Sequence, residues 1–75
     1  MDEFYFSVNL DESRTLCLAP LTDRLIEVSG QSVADTSGHF LFEKKGTDEQ
    51  QEVEIFAQVL SPEAVFRLQA MFKMD

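Results

Sequence analysis

Hydrophobic and polar positions alternate twice in the second half of the chain. In residues 39–45, Phe40 and Phe42 oppose His39, Leu41 and Glu43. Residues 46–51 break the pattern with glycine and polar side chains. It resumes over 52–60, where Val53, Ile55, Ala57 and Val59 oppose Glu54, Phe56 and Gln58. Period-two alternation marks a half-buried strand, so these two runs predict a hairpin. Ser61-Pro62 then opens a helix. Serine suits the N-cap, proline suits the first helical position, and Glu63 complements the helix dipole. At 100° per residue, Ala64, Val65, Leu68, Met71 and Phe72 form one stripe, predicted to pack on the inner face of the sheet.

The first half carries a similar signal. Phe4, Phe6, Val8 and Leu10 alternate with Tyr5, Ser7 and Asn9, which predicts a strand with an aromatic inner side. Residues 11–14 are a polar break of hairpin length. Residues 15–19 predict a second strand, with Leu16 and Leu18 inward, Cys17 on the other side, and Pro20 at its end. Residues 21–29 read in two ways. As a strand, Arg24, Ile26 and Val28 oppose Leu25 and Glu27. As a helix, Thr22 caps a stripe of Leu21, Leu25 and Val28. The β-branched Ile26 and Val28 and the closing Ser29-Gly30 favour the strand. Residues 31–38 are small and polar and predict an exposed connection. The expected fold class is α+β: an antiparallel sheet of four to five strands, mostly meander, with one C-terminal helix packed on one face. Residues 1–75 are expected to form a single domain.

Charge and residue inventory narrow the functions. Six Lys and Arg face fourteen Asp and Glu, a formal net charge of −8. Such a chain repels nucleic-acid phosphates, so direct nucleic-acid binding is not expected. No run approaches the roughly 20 apolar residues of a membrane span, and no membrane association is expected. The acidic N-terminal residues and the free cysteine favour a cytoplasmic location. Lys44-Lys45, the only basic pair, is expected to keep an exposed strand soluble.

Cys17 is the only cysteine and His39 the only histidine. Neither an internal disulfide nor a typical structural zinc site can be built from them. Asp48-Glu49 lacks the ligand spacing of a calcium loop. Cys17 is expected to be a packing residue and His39 an exposed strand-end residue, with Asp35 a nearby carboxylate by residue type alone. The chain is therefore expected to be no enzyme and to hold no metal and no cofactor.

Apolar residues left over by this core point to partners. Tyr5, Leu41 and Phe56, with Cys17, fall on the outer side of the sheet. Phe66, with Ala70 and Met74, falls opposite the Leu68 stripe. Clustered exposed apolar residues mark interaction surfaces, so Phe66, Ala70, Tyr5, Leu41 and Phe56 are the candidate partner-binding residues. Three things could cover the outer side: residues 20–38, a second subunit or other protein, or a small ligand. The expected function is a small non-catalytic protein-binding module that self-associates as a homodimer. One alternative is an acidic regulator, antitoxin-like or DNA-mimicking, that binds a basic protein surface through clustered carboxylates. A second alternative is a small-ligand-binding domain, which requires a concave pocket near His39 or Cys17.

Overall fold

The computed structural model describes residues 5–46 and 50–74. Expectations placed on Phe4 and on Asp48-Glu49 lie outside the described residues. Strands β1 (Phe6–Asn9), β2 (Arg14–Ala19), β3 (His39–Lys45) and β4 (Glu52–Val59) form one antiparallel sheet in the order β1-β2-β3-β4. Helix α1 (Asp23–Ser29) lies between β2 and β3, and helix α2 (Pro62–Met71) follows β4. The α+β meander with a C-terminal helix is the expected fold class, with four strands.

Residues 21–29 are the first correction. They form α1 rather than a strand. Thr22 Oγ1 accepts the Leu25 N–H, and Gly30 takes a left-handed conformation at the C-terminus, with φ 68°. Both ends are thus satisfied by residues suited to them, and Leu25 and Val28 fall one turn apart on one side. Tertiary packing outweighs the β-propensity of Ile26 and Val28, because Leu21, Leu25 and Val28 all reach the core.

The second correction concerns which side of the sheet each strand presents. Leu18 lies opposite Leu41, and Cys17 lies opposite Phe42. Directly opposed residues share a face. Phe40 and Phe42 therefore join Cys17 and Ala19, not Leu16 and Leu18. A bulge in β4 adds a further switch: Phe42 opposes Ile55 while Leu41 opposes Ala57, so Phe56 is the extra residue. Val53 and Ile55 consequently face away from Ala57 and Val59.

Two cores result, one on each face. Leu16, Leu18, Val59, Val65 and Met74 are buried together, with Phe6, Val8, Leu41, Ala64 and Leu68 packed against them. This is the α2 side. Cys17, Ala19, Phe40, Phe42 and Val53 are buried on the other side, beneath Leu21, Leu25, Val28 and Val33. Residues 20–38 thus supply the cover for that face. The connection at 31–38 is largely exposed, but Val33 enters the core and Gln31 bonds to β4. Gln31 Oε1 accepts the Ile55 N–H at 2.7 Å, and Gln31 Nε2 donates to the Ile55 carbonyl at 3.2 Å. Gln58 Nε2 donates to the Ser37 carbonyl at 3.0 Å.

The α2 stripe is shorter than predicted. Val65 is buried, and Ala64 and Leu68 are half-buried, but Met71 is 72% exposed and Phe72 is also exposed. The chain turns at the helix end instead. Lys73 adopts a left-handed φ of 54°, Met74 N–H donates to the Gln69 carbonyl, and Lys73 N–H donates to the Ala70 carbonyl. This is a Schellman turn, and it swings Met74 back beneath the helix to 2% exposure. Met74 is therefore core, not part of an outward face. Phe66 is likewise not wholly outward: its ring meets Phe6 edge-on, with centroids 6.1 Å apart. Among the described residues, no helix is long and apolar enough to cross a membrane.

Candidate protein-binding surfaces

Among the residues singled out for chemistry, Cys17 is fully buried. Burial pushes its thiol pKa up, and Lys44 only partly offsets this, so the thiolate a nucleophile needs is disfavoured. Asp35 lies in an exposed turn, where its carboxylate accepts the Ser37 N–H and hydroxyl and is held below its ordinary pKa by them. His39 is half-buried rather than exposed. It lines a cleft of ≈ 310 Å³ with Val59, Leu60, Ser61 and Val65. The Ser61 hydroxyl there accepts the Ala64 N–H as the α2 cap. Apart from His39 the lining is mostly apolar and holds no carboxylate. Among the described residues no three His, Cys, Asp or Glu side chains gather in a way that could hold a metal ion.

Beside this cleft runs an apolar groove of ≈ 420 Å³, bounded by Leu41, Ala57 and Leu60 and by the flank of α2 at Ala64 and Leu68. Its origin is the course of α2. The helix leaves β4 at Leu60 and reaches β1 through Phe66, so Val65 and Met74 lie over Leu16 and Leu18. The part of the face presented by Leu41 and Ala57 is left partly open. Leu60 stands at 83% exposure. It precedes the Ser61 cap, where an apolar residue ordinarily folds onto the helix position held here by Val65.

Two carboxylates follow the groove on the same face. Glu43 is two residues beyond Leu41, and Glu54 lies directly opposite Glu43. Like charges so opposed repel. They border a shallow charged depression of ≈ 490 Å³ that also includes Arg14, Lys45 and Glu52. Arg14 feels the charge of Glu43, but its guanidinium bonds Asp11 at 2.7 Å.

The five candidate partner-binding residues do not form one patch. Leu41 is in the groove, and Phe56 sits at the bulge on the β4 edge. Tyr5 (58% exposed) and Leu10 flank β1, where Phe66 (43% exposed) packs on Phe6 and the exposed Ala70 follows one turn later. Sequence reasoning missed the groove residues Ala57, Leu60, Ala64 and Leu68, having assigned most of them to the core. Leu60 alone carried a readable signal, as an apolar residue at the end of the alternating run, next to Val59 and outside the helix stripe. No protein-family profile, no curated protein and no solved structure matches the chain.

Proposed function

We propose that this chain is a small non-catalytic protein-binding module of the cytoplasm that self-associates. Its groove takes a protein segment whose apolar side chains are followed by basic ones. One observation carries the choice: the apolar groove of Leu41, Ala57, Leu60, Ala64 and Leu68 ends at the opposed Glu43 and Glu54. Burying the groove supplies affinity at about 25 cal/mol per Å² of apolar surface, less the ordering of the segment. The two carboxylates, in a chain of net charge −8, supply attraction and orientation. A Lys or Arg placed between them relieves their mutual repulsion, adding to what Arg14 and Lys45 beside them already offset. Nucleic acid and membrane are not partners in this reading, and no metal or cofactor is required.

A second reading, an acidic regulator that covers a basic protein surface, rests on the same charge and the same Glu pair. It differs in placing the binding energy in the carboxylates. Affinity capture from the native host separates the two. Ala57→Glu with Leu60→Glu changes only exposed positions and should leave the fold intact. Under the groove reading it abolishes retention of a protein that the unsubstituted chain retains, at low and high salt alike. Retention that survives this change but disappears with Glu43→Gln, Glu54→Gln and with added salt supports the regulator and overturns the groove.

A further inference from the structure

We infer that the outward edge of β1 is the self-association surface, and that its occupant is β1 of a second copy, antiparallel, with the twofold axis at Ser7. The inference rests on the self-association reading and assigns it a place and a register. The two sheet edges differ sharply. The β4 edge carries a bulge at Phe56, the Gln31 amide on the Ile55 N–H and carbonyl, and a bond from Gln58 to the Ser37 carbonyl. These are devices that keep an edge from pairing with another chain. The described part of the β1 edge has none of them: no proline, no lysine and no bulge.

The hairpin fixes which backbone groups β1 offers. Leu10 N–H donates to the Arg14 carbonyl, and the register continues as Val8 opposite Leu16 and Phe6 opposite Leu18. In an antiparallel ladder, alternate residues exchange both bonds with the partner strand. Phe6, Val8 and Leu10 therefore point their backbone groups at β2. Ser7 and Asn9, and Tyr5 by the same alternation, point theirs outward.

A second copy satisfies this row best when Ser7 opposes the second copy's Ser7. Tyr5 then opposes Asn9 twice, and about six hydrogen bonds form across three pairs. Phe6 falls opposite the second copy's Val8 on the α2 side, an aromatic–β-branched pair made twice. The exposed rings of Tyr5 and Phe66 border the contact. Charge permits a like partner along this stretch. Residues 5–10 carry no charged side chain in a chain of net charge −8, Asp11 beyond them is held by Arg14, and Asp2, Glu3 and Glu12 flank the stretch in sequence. Like charges therefore fall at the ends of the contact and not along it.

Sedimentation equilibrium from micromolar concentrations upward tests this, with two variants checked for folding by circular dichroism. Ser7→Pro removes an outward N–H and spares every β1–β2 bond. Ser7→Lys places like charges face to face at the twofold. The unsubstituted chain should be a dimer at micromolar concentration. Each variant should be folded, with the dimer Kd raised about tenfold or more, since one substitution acts twice. A dimer unaffected by Ser7→Lys would overturn the β1 assignment and leave self-association standing through another surface. An unsubstituted chain that stays monomeric at high concentration would overturn both.

Discussion

Gln31 completes the β4 edge by holding Ile55 at both of its backbone groups, the N–H at 2.7 Å and the carbonyl at 3.2 Å. A primary amide offers a donor and an acceptor in one plane, as a neighbouring strand would. It sits beside the bulge at Phe56, where the ladder is already interrupted. Gln31→Ala should therefore lower stability by about 1–2 kcal/mol, the loss of two ordinary hydrogen bonds. Urea denaturation measures this. Gln31→Glu should recover only part of the loss, because a carboxylate accepts the Ile55 N–H but cannot donate to the carbonyl.

The two cores rank side chains in an order the helix stripe alone would not give. Phe42 and Leu18 are fully buried, while Leu68 is half-buried beside the groove. Phe42→Ala should cost about 3–5 kcal/mol, comparable with the whole stability of a chain this short, and leave it unfolded or nearly so. Leu68→Ala should cost clearly less and leave a folded protein. Thermal melts of the two variants give the comparison. Equal damage would mean that the groove is closed.

Lys73 occupies a left-handed position that glycine fills at lower cost. Its side chain is exposed, so its replacement removes little packing. Lys73→Gly should raise stability by about 0.5–1 kcal/mol, seen as a rise of a few degrees in Tm. A fall in Tm would show that the turn holding Met74 depends on the lysine side chain.

Asp11 closes the β1–β2 hairpin. The Ser13 N–H, followed by the Arg14 side chain, lowers its pKa from 3.8 to about 2. A carboxyl whose pKa falls on folding stabilises the fold above its unfolded value and loses that contribution as pH drops through the folded one. The contribution is thus complete above about pH 4 and fades toward pH 2. Asp11→Asn should flatten this part of the stability–pH curve, its small loss of stability being present at neutral pH and vanishing toward pH 2. The site is exposed, so the effect should be small and weaker in salt.

The alternation of each strand and the Ser61-Pro62 helix start were legible because they depend on neighbours in sequence. Which face each strand presents was not. That is set by the pairing of Leu18 with Leu41 and by the bulge at Phe56, and a one-residue change in pairing exchanges the faces. Residues 21–29 carried evidence for both elements, and Thr22 with Gly30 proved the better guide than the β-branched pair. The Met74 return was hidden because it requires a lysine at a left-handed position. The groove was hidden because its apolar residues look like core until the course of α2 is known. Tyr5 and Phe66 were recognised as spare, but that both lie beside β1 depends on the packing of Phe66 on Phe6.

The β4 edge is closed by its own chain, whereas the β1 edge is the proposed seat of a second copy. Amide hydrogen exchange followed by NMR at several protein concentrations distinguishes the two edges. The Ile55 N–H should be protected at every concentration, held by Gln31. The Val8 N–H, bonded to β2, should be protected throughout. The Ser7 N–H should exchange quickly in dilute solution and slow as concentration rises, because it points away from β2 and, among the described residues, no group of its own chain accepts it. A Ser7 amide as protected as Val8 in dilute solution, or one that stays fast at all concentrations, would contradict the account.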